Sequence, residues 1–239
     1  MIETLLALPA FRSLLDEIRS GDQIPGLGLP RAVRLPLLAA LSRSLDIPVL
    51  FLTDRMSHAL SQVDELDFWL PQDDRKVLFP EPNPLFYEQA AWGSVTRKDR
   101  ITVLSSLISY HLPGVQKPSH PPLIIAPIRA VMTRTMPRRD FFRSSRIIKV
   151  GMKCTLESLI HEWVGSGYQP VDMVVEPGSF SRRGGLLDIW PPAEPYPVRL
   201  DFFGDELDTL RQFDPATQRT VARLESIFIT PARELLLSK

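Results

Sequence analysis

The chain has a single cysteine, Cys154, so an intramolecular disulfide is impossible and a cysteine-based zinc cluster is excluded. Net charge is absent too. Lys and Arg number 28 against 28 Asp and Glu, so no broad basic field argues for non-specific binding to nucleic acid. No apolar run approaches the roughly 18 residues of a membrane span, and the N-terminus lacks a signal-peptide pattern. A cytoplasmic protein without membrane contact is the expectation. The four histidines, His58, His111, His120 and His161, show no metal-ligand spacing. What is present is globular: 44% apolar and 23% charged residues over 239 positions, room enough for two domains.

The first half alternates helical and strand patterns. Residues 5–18 place Phe11, Leu14, Leu15 and Ile18 at helical spacing, with a break near Pro9 and a stop at Ser20-Gly21-Asp22. An apolar run over 35–45 leads to a short strand, 48–53. A helix over 54–70, a strand over 76–79, a helix over 97–110 and a buried strand over 123–126 follow. This order predicts parallel strands flanked by helices. Phe86 and Tyr87 lie on a Pro-rich loop and could stack on bases, but acidic Glu81 and Glu88 around them favour local packing.

The stretch Gly26-Leu27-Gly28-Leu29-Pro30-Arg31-Ala32-Val33 stands where such a domain carries a phosphate loop. That loop needs glycines whose backbone N–H groups face the phosphates, a lysine for the β/γ-phosphates and a hydroxyl for magnesium. Here the final glycine position is Arg31, the lysine position Ala32 and the hydroxyl position Val33, while Pro30 removes one N–H. Arg31 or Arg34 could replace the lysine, but nothing replaces the metal ligand. Nucleotide hydrolysis is not expected. The basic run from Arg129 to Arg139 could touch DNA weakly; a solvated helix face explains it equally well.

The second half reads as one helix followed by a sheet. Thr155 is a good N-cap, and Leu156, Leu159, Ile160, Trp163 and Val164 form one apolar stripe. Strands over 168–213 supply its partner, predicting a small α+β domain with an antiparallel sheet. A last strand, 226–230, precedes the apolar Leu235-Leu236-Leu237. Within the sheet, Val198-Arg199-Leu200-Asp201-Phe202-Phe203 alternates as a half-buried strand, and Gly204-Asp205 supplies a two-residue hairpin turn. Arg199 and Phe203 then share the face opposite Val198, Leu200 and Phe202. Arginine and aromatic side chains are the types that anchor protein contacts. Blander roles exist. Asp201 and Asp208 should oppose each other across the hairpin, with Arg199 as neutraliser. Arg182 and Arg183 could pair with Glu176 or Asp188, and Phe203 could tuck under a loop.

The segments EPGSFSRRGGLLDIWPP, PVRLDFFGDELDTLRQFD and ATQRT resemble the UvrB-like module at the N-terminus of bacterial transcription-repair coupling factors, densely over residues 151–231 and more thinly before 130. The resemblance implies an α/β fold: a degenerate P-loop-like parallel-sheet domain (1–128), a small α+β docking domain (129–221) and a return strand (222–239). It implies that Gly26, Gly28, Arg31, Ala32 and Val33 form a decayed phosphate loop. It also implies a non-catalytic docking surface for UvrA, the damage-scanning ATPase of nucleotide excision repair, through Arg183, Arg199 and Phe203. No cofactor is expected in this chain; ATP, RNA polymerase and DNA belong to other parts of the longer family protein. The competing readings are a UvrB-type damage-recognition ATPase and a DNA-binding module.

Overall fold

The computed structural model describes residues 2–70, 76–82, 93–111 and 120–234; Phe86, Tyr87 and Leu235 to Leu237 lie outside the described residues. Contacts divide the chain into two compact units, Met1–Glu81 with Lys117–Thr133, and Pro82–Gln116 with Arg134–Lys239.

The first unit opens with α1 (Ile2–Ala7) and α2 (Pro9–Ser20), divided at Leu8. Pro9 starts the second helix because its missing N–H is an orphan there anyway. Then come α3 (Arg31–Ser44), β1 (Val49–Thr53), α4 (Met56–Trp69) and β2 (Lys76–Leu78). The next helix, α5 (Ser94–Ser109), belongs to the second unit and starts three residues before its apolar stripe suggests. β3 (Leu123–Pro127) and α6 (Ile128–Met132) complete the first unit. Its three strands are parallel in the order β1-β3-β2, with Leu123 beside both Val49 and Lys76. Leu123 and Ile125 face α3 and α4, where Leu35, Leu38, Ala39, Ala40, Ala59 and Leu66 are buried.

The second unit adds α7 (Arg138–Arg143), β4 (Arg146–Lys149), α8 (Leu156–Gly165), β5 (Gln169–Pro170), β6 (Ser179–Arg183) and β7 (Leu186–Ile189). The strands β8 (Val198–Phe203), β9 (Glu206–Phe213), β10 (Thr220–Leu224) and β11 (Ser226–Ile229) end it. β10 to β5 form one six-stranded sheet in descending order, while β11 pairs with β4. The large sheet is not wholly antiparallel as expected: the short β5 runs parallel to β6. α8 starts as its cap predicts, with the Thr155 hydroxyl accepting from the Ser158 N–H at 3.2 Å. Its Leu156, Leu159 and Trp163 lie against Phe180, Leu187, Leu200 and Phe202, and the Trp163 ring meets Phe180 edge-on at 5.7 Å. Only one face of the sheet joins this core.

Beneath α5, the buried Arg100 guanidinium grips the Glu234 carboxylate at 2.6 and 3.0 Å. A buried charge survives only with such a partner. Tyr168 Oη donates to the Thr230 carbonyl at 2.7 Å, tying the last strand segment to the end of α8. Among the described residues, no helix is long and apolar enough to cross a membrane.

Candidate protein-docking site

Strand register decides which side chains share a surface. Asp188 stands opposite Arg199, and Arg199 opposite Arg211; Leu186 stands opposite both Arg183 and Asp201. Partners across a sheet lie on one face. Arg183, Leu186, Arg199, Asp201, Phe203 and Arg211 therefore share the face turned away from α8. Arg183 joins Arg199 and Phe203, a placement that spacing alone could not fix. Its neighbour Arg182 points to the α8 side and pairs with Glu157 at 3.0 Å, not with Glu176 or Asp188. Arg183 donates to the Asp172 carbonyl at 3.1 Å, again not to the carboxylates proposed from sequence.

The hairpin turn is formed by Gly204 at φ +63 with Asp205, a left-handed first position that suits glycine. Beside it the ladder shifts: Asp201 pairs with Thr209, but Phe202 pairs with Leu207, leaving Asp208 as a bulged extra residue. Asp201 and Asp208 are consequently not opposed, and Arg199 does not neutralise them as a pair. The bulge lets Leu207 and Leu210, three apart, both face the core. Phe203 is 86% exposed at the hairpin tip. Its ring borders a cleft of about 320 Å³ whose other walls are Val150, Gly151, Glu206, Leu207 and Asp208.

Arg199 is held on three sides. Nε and Nη2 donate to the two Asp188 carboxylate oxygens at 2.7 and 2.8 Å, and Nη2 donates again to Gln218 Oε1 at 3.0 Å. The guanidinium carbon stands 4.6 Å from the centre of the Phe213 ring. The Asp188 hydrogen bonds raise the pKa of Arg199 above the ordinary arginine value, against a smaller opposing effect of burial. The Arg199 side chain is 21% exposed and that of Asp188 is 5% exposed. Phe213 and Gln218 were not singled out from the sequence, and Asp188 was considered there only as a partner for Arg182 or Arg183, not for Arg199. The available signals were the outward position of Asp188 in LLDI and the ATQRT segment that contains Gln218.

The remaining sequence candidates lie elsewhere. Gly26 and Gly28 are exposed, precede α3 and do not adopt left-handed backbone. Arg31 begins α3; Arg31 and Ala32, with Arg34, Thr53, Asp54, His58 and Gln62, border a cleft of about 860 Å³, while Val33 does not line it. His58 Nδ1 meets Asp54 Oδ1 at 2.5 Å. Of the basic run, Arg129 lies 3.6 Å from Glu81 and Arg138 stands over the Phe142 ring at 5.4 Å. Among the described residues, no group of three His, Cys, Asp or Glu is placed to hold a metal ion.

Residues 147–235 match the model of the UvrB interaction domain. The chain is 32% identical to the transcription-repair-coupling factor of Bacillus subtilis over 95% of its own length, and 31% identical to that of Myxococcus xanthus over 95%. It spans only 18% and 19% of those proteins. The UvrABC system protein B of Gloeothece citriformis is 31% identical over 48% of the chain and 17% of its own length. Residues 147–235, with the sheet that carries Arg183, Arg199 and Phe203, therefore belong to the UvrB interaction domain family, in a chain homologous to a segment of the transcription-repair-coupling factors.

Proposed function

We propose that this chain is a non-catalytic module that recruits UvrA in transcription-coupled nucleotide excision repair, and that residues 129–221 are its docking domain. The observation that carries the reading is the outer face of the six-stranded sheet, where an 86% exposed Phe203 stands two residues beyond Asp201 and four beyond a fixed Arg199. An aromatic ring held out in water at a hairpin tip has lost contacts that a partner can restore. Arg183 extends the same face two strands away, roughly 10 Å at the usual strand spacing. Contacts with RNA polymerase and DNA, and the use of ATP, fall to other parts of the longer family proteins, which act in the cytoplasm.

Calorimetric titration of purified UvrA tests the assignment. Arg199→Ala and Phe203→Ala should each weaken binding by about 2 kcal/mol, roughly 30-fold, because anchors at the centre of a contact carry most of its energy. Phe203→Ala should leave thermal stability nearly unchanged, since the ring contributes little to the core. Wild-type affinity in both variants would remove the assignment.

A further inference from the structure

Resting on the docking reading, we infer that Asp188 and Gln218 are positioning residues that fix the binding edge of Arg199 before any partner arrives. Arginine carries five N–H donors. Asp188 takes one from Nε and one from Nη2, and Gln218 takes the second from Nη2. The Nη1 pair makes no hydrogen bond among the described residues and is the edge left for a visitor's carboxylate or carbonyl oxygen. The Phe213 ring, itself buried, closes one flat face of the guanidinium. Rotation about the side chain would break all three contacts at once, so one rotamer is presented.

Gln218 is built for this task at a local cost. It is the one non-glycine residue with positive φ, at 60°, among the described residues. That left-handed conformation disfavours an ordinary side chain by about 1–2 kcal/mol. The turn that imposes it is tightly specified. Asp214 Oδ1 accepts from the Ala216 and Thr217 N–H groups at 2.9 and 2.8 Å, and the Gln218 N–H donates to the Asp214 carbonyl at 2.8 Å. Gln218 Nε2 donates to the Pro215 carbonyl at 2.9 Å, which turns Oε1 toward Arg199. Glycine at position 218 would suit the backbone better but would supply no acceptor. A residue strained in its backbone, with its amide oriented at both ends, points to a role beyond closing the turn.

The opposing demands on position 218 provide the test, made on the whole chain with UvrA in calorimetry and with thermal melting in parallel. Gln218→Gly should bind UvrA about 5-fold more weakly, the worth of one net hydrogen bond. Its melting temperature should hold or rise, because glycine relieves the left-handed strain. Stability and affinity would then move apart, which loss of structure alone does not produce. Asp188→Asn, which keeps volume but removes the charge facing Arg199, should weaken binding further, about 10-fold, with KD rising and stoichiometry unchanged. Wild-type affinity in Gln218→Gly and Asp188→Asn, beside a weakened Arg199→Ala, overturns the positioning role alone. Wild-type affinity in Arg199→Ala overturns this inference, and wild-type affinity in both Arg199→Ala and Phe203→Ala overturns the docking reading with it.

Discussion

Arginines stand in two regions of this chain, a cleft of the first unit and the outer face of the six-stranded sheet, and the side chains are treated in opposite ways. In the parallel-sheet unit, Arg31 and Arg34 border the large cleft from the first turn of α3. Neither is ion-paired among the described residues, and Arg34 reaches only the Leu29 carbonyl, at 3.4 Å. They also sit at the end of the helix dipole that favours anions over cations. In the six-stranded sheet, a carboxylate, an amide and a ring hold Arg199. Immobilising a loose arginine costs about 2 kcal/mol of side-chain entropy on binding. Arg199 has lost much of that freedom on folding, so the proposed partner would meet an ordered donor edge. Charge makes both regions visible; prior fixation distinguishes the arginine proposed for docking from a solvated side chain.

The largest expected effect tests whether the two regions are separate cooperative bodies. Trp163 is the one aromatic ring that α8 inserts against the six-stranded sheet. Trp163→Ala should destabilise that unit by about 3–5 kcal/mol. Hydrogen exchange should then lose protection in β6 to β9 while the β1 and β3 amides keep theirs. Simultaneous loss in both sheets would join what the comparison separates.

A smaller effect sharpens the contrast through pH. Burial raises the Glu194 carboxyl above the usual value of 4.5, only partly opposed by the hydrogen bond from Gln212. The folded state therefore binds a proton that the unfolded chain has released, and the six-stranded unit loses stability as pH rises from about 4.5 through the raised value. In the first unit the hydrogen bond from His58 lowers Asp54 below 3.8, so its contribution is present above that value and is lost as pH falls. Asp54 is exposed and its effect is weak. Melting followed from pH 4.5 to 7 should show the decline, and Glu194→Gln should flatten it. An unchanged slope in that variant would assign the dependence to another group.

The sequence made short-range features legible and left register hidden. Alternation in VRLDFF, the Gly204-Asp205 turn and the α8 stripe each depend on a period within about ten residues, and each occurs where its period placed it except at the edge of the stripe, where Val164 is exposed rather than packed on the sheet. The bulge at Asp208 could not be read, because one extra residue leaves no mark when no glycine accompanies it. That single residue removed the expected opposition of Asp201 and Asp208. The Asp188 partner of Arg199 depends on pairing between β7 and β8 across an eight-residue connection, and Gln218 depends on a turn two strands away. Local pattern gives a residue its face; its neighbour on that face comes from tertiary register.

Nucleotide binding offers the smallest expected signal and the sharpest way to break the comparison. A phosphate cradle needs consecutive N–H groups turned inward from a left-handed or nest-like backbone. Gly26 and Gly28 do not supply that conformation, Pro30 has no N–H, and Ala32 and Val33 bring neither cation nor hydroxyl. Arg31 and Arg34 alone offer a phosphate two charges in a cleft that the carboxylates of Asp54 and Glu65 also line. ATP with magnesium titrated into the chain should therefore give no binding heat up to millimolar concentration. Micromolar binding that disappears in Arg31→Gln would mean that arginines can form a site without prior fixation, and the contrast with Arg199 would lose its physical basis.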